Sequence, residues 1–168
     1  GHGYMGEGIY KVIDKFHIAG NVDVLITEGT NLDSKGKSMR RESALKDEFK
    51  DVFRQYKNTF IICSSTDLDR LWTIYGANEE SAERPFIVDS YQKEQIGLIT
   101  RQAEEGKPFY HFDLDRIYSY NPSVEKMRYM MMRYGFVMLI RPSGKFRSYL
   151  NKILPECKPE ETCLVYSR

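Results

Sequence analysis

The sequence predicts an α/β fold in three α/β/α layers around a mainly parallel sheet. Short apolar runs rich in β-branched residues alternate with longer amphipathic segments, the order expected of strands joined by crossover helices. The runs are continuous rather than alternating, as in strands buried on both faces. Each run then passes into small polar or charged residues, as a strand does where it turns into a helix.

In chain order, the periodicity over Ile9 to Phe16 predicts a short helix, and Val22 to Thr27 the first strand. Met39 to Lys57 follows as the strongest helix, with Leu45, Phe49, Val52, Phe53 and Tyr56 on one stripe and Ser38 at its N-cap. Phe60 to Cys63 reads as a strand. A helix over Thr66 to Tyr75 carries Leu68, Leu71, Trp72 and Tyr75, and Gly76 and Asn78 are its expected stop. Phe86 to Val88 is the next strand, Gln92 to Glu105 a helix, and Ser123 to Tyr134 another. Phe136 to Ile140 is the longest apolar strand. Lys145 to Leu154 is the last helix, ended by Pro155, and Cys163 to Tyr166 the last strand.

The 168 residues suit one substantial core. With 25 Lys and Arg against 24 Asp and Glu, the global charge selects no partner, so any polyanion or surface must be met by a local patch. No apolar run approaches the roughly 20 residues of a membrane span, which predicts a chain with no membrane partner. Cys63, Cys157 and Cys163 are odd in number and lack CxxC spacing, which fits reduced thiols and a cytoplasmic location. His2, His17 and His111 form no HxHxD or HExxH pattern, and no metal site is expected from this chain alone. GxSxG and P-loop patterns are absent too, and the clustered Gly3, Gly6 and Gly8 follow no strand, so no dinucleotide-binding loop is expected there.

In a parallel sheet the polar strand ends lie along one edge, where helix N-termini also present free N–H groups. The candidate ligand-binding residues there are Thr30, Asn31, Ser64, Ser65, Asp67, Arg70, Asp89, Ser90, Arg141 and Ser143. For Ser64, Ser65 and Thr66, helix capping is the favoured reading. Arg70, near Asp67 and Asp69, is better explained by a local ion pair, which leaves Arg141 as the stronger anion ligand. Tyr110, Phe112, Tyr118 and Tyr120 read as core more readily than as base-stacking surfaces. Glu28 follows four apolar strand residues and precedes a glycine; a partnered functional carboxylate and a solvent-exposed turn cap both stand open for it.

Three segments carry a family resemblance. Asn21 to Asn31, with Thr27-Glu28-Gly29-Thr30 at its centre, is similar to the strand of β-CASP metallo-β-lactamase enzymes that ends in an acidic residue followed by Ser or Gly and Thr. Asn58 to Leu71 and Arg84 to Tyr91 resemble the next two strands of those enzymes with their turns. The resemblance implies a Rossmann-like β-CASP fold over residues 36–168, with 1–35 an edge helix and strand of the lactamase part. It further implies a fragment, inactive alone, of a zinc-dependent hydrolase acting on RNA phosphodiester bonds. Two zinc ions would be held by the lactamase part of the same polypeptide, and this chain would carry no cofactor. Its partners would be that lactamase part and single-stranded RNA. Glu28 would orient a histidine supplied from outside the chain. The alternative is a stand-alone α/β module that binds a nucleotide or a protein without hydrolysis.

Overall fold

The computed structural model describes residues 13–24, 42–107 and 109–167. Helix α1 spans Glu42–Gln55, strand β1 Asn58–Ile62, α2 Leu68–Glu79, β2 Phe86–Val88, and α3 Ser90–Glu104. Then come β3 at Ile117–Ser119, α4 at Glu125–Tyr134, β4 at Phe136–Ile140, α5 at Gly144–Ile153 and β5 at Thr162–Tyr166. The strands form one sheet in the order β3-β2-β4-β1-β5, with every pairing parallel.

Alternation along the strands divides the core in two. Ile61, Phe86, Val88, Val137 and Leu139 face one cluster with Phe49 and Phe53 of α1, Leu71 and Ile74 of α2, and Ile96 of α3. Phe60, Ile87, Phe136, Met138 and Ile140 face the other, with Met131 of α4 and Phe146 and Ile153 of α5. The three α/β/α layers follow: α1, α2 and α3 cover one face, α4 and α5 the other. Right-handed crossovers dictate this split, because β1 to β2 and β2 to β3 step one way across the sheet whereas β3 to β4 and β4 to β5 step back. Each fully buried aromatic such as Phe53 or Phe136 contributes on the order of 2–3 kcal/mol of apolar burial.

Four expectations are corrected. Residues 22–24 lie outside any strand, with Val22 48% and Val24 75% exposed; the rest of that expected strand, together with Glu28, Thr30, Asn31 and Ser38, lies outside the described residues. Gly76 and Asn78 do not stop a helix, since α2 runs to Glu79. Instead the buried Asn78 amide pins the following loop, donating to Arg84 O at 2.8 Å and accepting from Arg84 N at 3.2 Å. Strand β5 is not buried on both faces, because it forms an edge and leaves Leu164 63% exposed. Strand β3 was not expected at all. Tyr110 and Phe112 are core, as anticipated, stacked on and edge-on to Trp72 at 5.3 and 5.1 Å. Among the described residues, no helix is long and apolar enough to cross a membrane.

Candidate functional site

The parallel sheet brings the C-terminal ends of β1, β2 and β4 to one edge, so Ser64, Asp67, Asp89, Ser90 and Arg141 lie along it. Between the neighbours β2 and β4 the chain leaves in opposite directions, to α3 on one face and α5 on the other. Such a divergence opens a crevice, the place where open α/β sheets bind ligands.

Asp89 stands at the end of β2, only 2% exposed. One carboxylate oxygen caps α3 by accepting from Gln92 N at 3.0 Å. The other accepts from Arg141 Nη2 at 2.8 Å and Lys145 Nζ at 3.0 Å. Arg141 comes from the end of β4 and Lys145 from the first turn of α5, so this triad spans the crevice. The Arg141 guanidinium lies 5.3 Å from the Tyr91 ring centroid and 5.2 Å from that of Phe146, which fixes its plane. Gln92 Nε2 reaches across to Ser65 O at 3.2 Å and ties in the β1 turn.

Two cations share one carboxylate, which leaves a local excess of positive charge at the N-terminus of a ten-residue helix. Arg141 and Lys145 retain 25% and 45% side-chain exposure, so both reach solvent. Burial acts to raise the Asp89 pKa, but the Lys145 hydrogen bond, the Gln92 N–H and the charges of Arg141 and Lys145 outweigh it and hold it below 3.8. The hydrogen bond to Asp89 raises the Lys145 pKa. Asp89 is thus a counter-ion, ionised at neutral pH and occupied at both oxygens, and is unsuited to act as a general base. Burial pushes the Cys63 thiol, just beyond β1, up to about 12, so it is no thiolate nucleophile either. The arrangement can hold an anion, and neither Asp89 nor Cys63 is suited to attack one.

The other candidates separate. Asp67, not Ser64, Ser65 or Thr66, caps α2, accepting from Arg70 N at 3.0 Å; Ser64 Oγ closes its own turn by accepting from Thr66 N at 3.3 Å. Ser143 caps α5 and borders a groove of about 530 Å³ with Arg141. Ser90 begins α3 and lines a separate hollow with Lys93 and Arg101. Arg70 pairs not with Asp67 or Asp69 but with Glu42 of α1, at 2.9 Å. Sequence reasoning missed Lys145, whose signal is its place one residue inside the helix that follows Ser143-Gly144.

Because the folded state holds Asp89 below its ordinary pKa, its stabilisation is complete above about pH 4 and drains as pH falls through the lower folded value. Asp89→Asn keeps the cap acceptor but loses the charge, and is expected to cost about 2 kcal/mol at neutral pH. Urea denaturation from about pH 6 down to pH 2.5 checks this: the gap between wild type and variant should close in acid.

No known protein family, no curated protein and no solved structure matches this chain.

Proposed function

We propose that the chain is the β-CASP cap, with an edge of the lactamase part, of a zinc-dependent metallo-β-lactamase-fold hydrolase that cuts RNA phosphodiester bonds. By itself it is inactive. The observation that carries the reading is the Arg141–Asp89–Lys145 triad: two cations on one carboxylate, with a net positive charge at the mouth of a parallel sheet, suit a phosphate and lack cleaving chemistry. The resembling segments 58–71 and 84–91 correspond to β1 with α2 and β2 with the start of α3, and their turns build this edge.

Among the described residues no group of three or more His, Cys, Asp or Glu is placed to hold a metal ion. They do not fit a zinc pair, and the reading assigns both ions to the lactamase part. Arg141 and Lys145 would hold a backbone phosphate and orient the strand toward that part, while Glu28 would orient a histidine there, on the resemblance alone.

In the longer polypeptide, Arg141→Gln with Lys145→Gln is expected to raise KM for RNA roughly 10- to 100-fold with kcat within about twofold, since the lost contacts are charge-assisted and made equally before and during reaction. Chelation should abolish turnover. RNA hydrolysis by the 168-residue chain alone, or turnover in the longer polypeptide that ignores both the double substitution and chelation, would refute the reading.

A further inference from the structure

The near-zero net charge conceals a strong polarity across the sheet. Residues 42–120, which supply α1, α2 and α3, hold fifteen Asp and Glu against ten Lys and Arg. Residues 121–157, which supply α4 and α5, hold two against seven. On the first layer Lys46 and Lys50 pair with Glu80, Arg54 with Asp51, Arg70 with Glu42, and Arg116 with Glu79, while Lys57, Arg84 and Lys93 donate to backbone carbonyls. On the second, Lys126, Arg133, Arg147 and Lys152 are exposed, and among the described residues no carboxylate lies within 4.0 Å of any of them.

These cations are ordered. Lys126, Tyr129 and Arg133 fall at i, i+3 and i+7 on the outer face of α4, and Arg147 and Lys152 lie exposed on α5. The ends of such a stripe stand about 10 Å apart on one side of a helix. Tyr129 is 63% exposed. Tyr134, 60% exposed, carries the Arg133 guanidinium 5.9 Å from its ring centroid. Between the helices runs a groove of about 360 Å³ bounded by Arg128, Lys152 and Glu156.

We infer that the outer face of α4 and α5 is a second binding surface, one that holds the backbone of a single-stranded nucleic acid by its free cations and stacks bases on Tyr129 and Tyr134. Unpaired Lys and Arg interleaved with exposed aromatic rings are what a flexible polyanion with π faces requires. An acidic protein would not need the rings, and a membrane would need larger apolar side chains beside the cations than two tyrosines. The polymer's identity rests on the nuclease reading; the surface lies on the α4–α5 layer, outside the triad.

The test is fluorescence anisotropy of the chain with a labelled 20-nucleotide RNA across a salt series. Lys126→Gln, Arg133→Gln, Arg147→Gln and Lys152→Gln combined should weaken binding at least about 10-fold and reduce the salt slope by roughly 3, as four lost phosphate contacts demand. Tyr129→Ala should weaken it about 10-fold, and Arg54→Gln with Lys107→Gln, on the opposite layer, should leave it unchanged. All these side chains are exposed, so the fold is retained. An unchanged affinity in the fourfold variant, or a chain that sediments with phosphatidylserine vesicles and ignores RNA, overturns the inference. Binding is read without hydrolysis, so its loss leaves the nuclease reading to the kinetic test, and binding without turnover in the longer polypeptide retains the surface alone.

Discussion

Gly135→Ala is expected to destabilise the chain by about 4 kcal/mol or more. Gly135 links α4 to β4 with φ +76° and ψ −174°, a region essentially closed to residues with a Cβ. A Cβ there would also meet Lys57, overlapping its carbonyl oxygen and standing 2.7 Å from its Cγ. That same carbonyl accepts from Phe136 N at 3.1 Å, and the next residue, Asn58, registers with Phe136. The clash therefore falls where the adjacent strands β1 and β4 begin to pair. Strain of about 1–3 kcal/mol and overpacking of similar size add. Gly106 separates the two: its φ is +79° with nothing within 4 Å of a built Cβ, so Gly106→Ala should cost only about 1 kcal/mol. Thermal and urea unfolding of both variants decide it. A Gly135→Ala chain as stable as the Gly106→Ala one would show that the turn yields and that no close approach constrains the sheet.

How much of this was legible in the sequence depends on the range of the interaction that decides each feature. The run Phe136 to Ile140 announces a central strand because both faces of it are buried, a local consequence of composition. Ile117–Ser119 does not, since only Ile117 is fully buried and three residues carry no period. Cys163 to Tyr166 reads as apolar, yet its exposure is set by the strand order, which the residues themselves do not encode locally. Gly76 looked like a stop because glycine is a poor helix former. It is tolerated inside α2 because Lys46 of α1 crosses it, 3.1 Å from where a Cβ would stand. The polar edge was visible as a pattern of strand ends, but not its pairing: Arg141 and Asp89 are 52 residues apart, and only the adjacency of β2 and β4 brings them together.

Glu42→Ala is expected to cost about 3–5 kcal/mol, and it decides what Arg70 is for. The Glu42 carboxylate accepts from Arg70 Nη2 at 2.9 Å and Nε at 3.1 Å, and from Thr73 Oγ1 at 2.7 Å, with both charged residues only 8% exposed. Removing the carboxylate leaves a buried guanidinium without its main counter-charge, which costs far more than the pair contributes relative to an apolar replacement. Glu42→Leu with Arg70→Met, close in volume, should therefore recover most of the loss, in a double-mutant cycle with a large coupling energy. Arg70 also donates to Ser167 Oγ just beyond β5, so the pair locks α1 and α2 to the sheet edge. On this reading Arg70 is a positioning residue with no part in holding an anion, and the recovered double variant should bind the labelled RNA within about twofold of wild type. A tenfold loss of affinity at retained stability would return Arg70 to the binding surface beside Arg141.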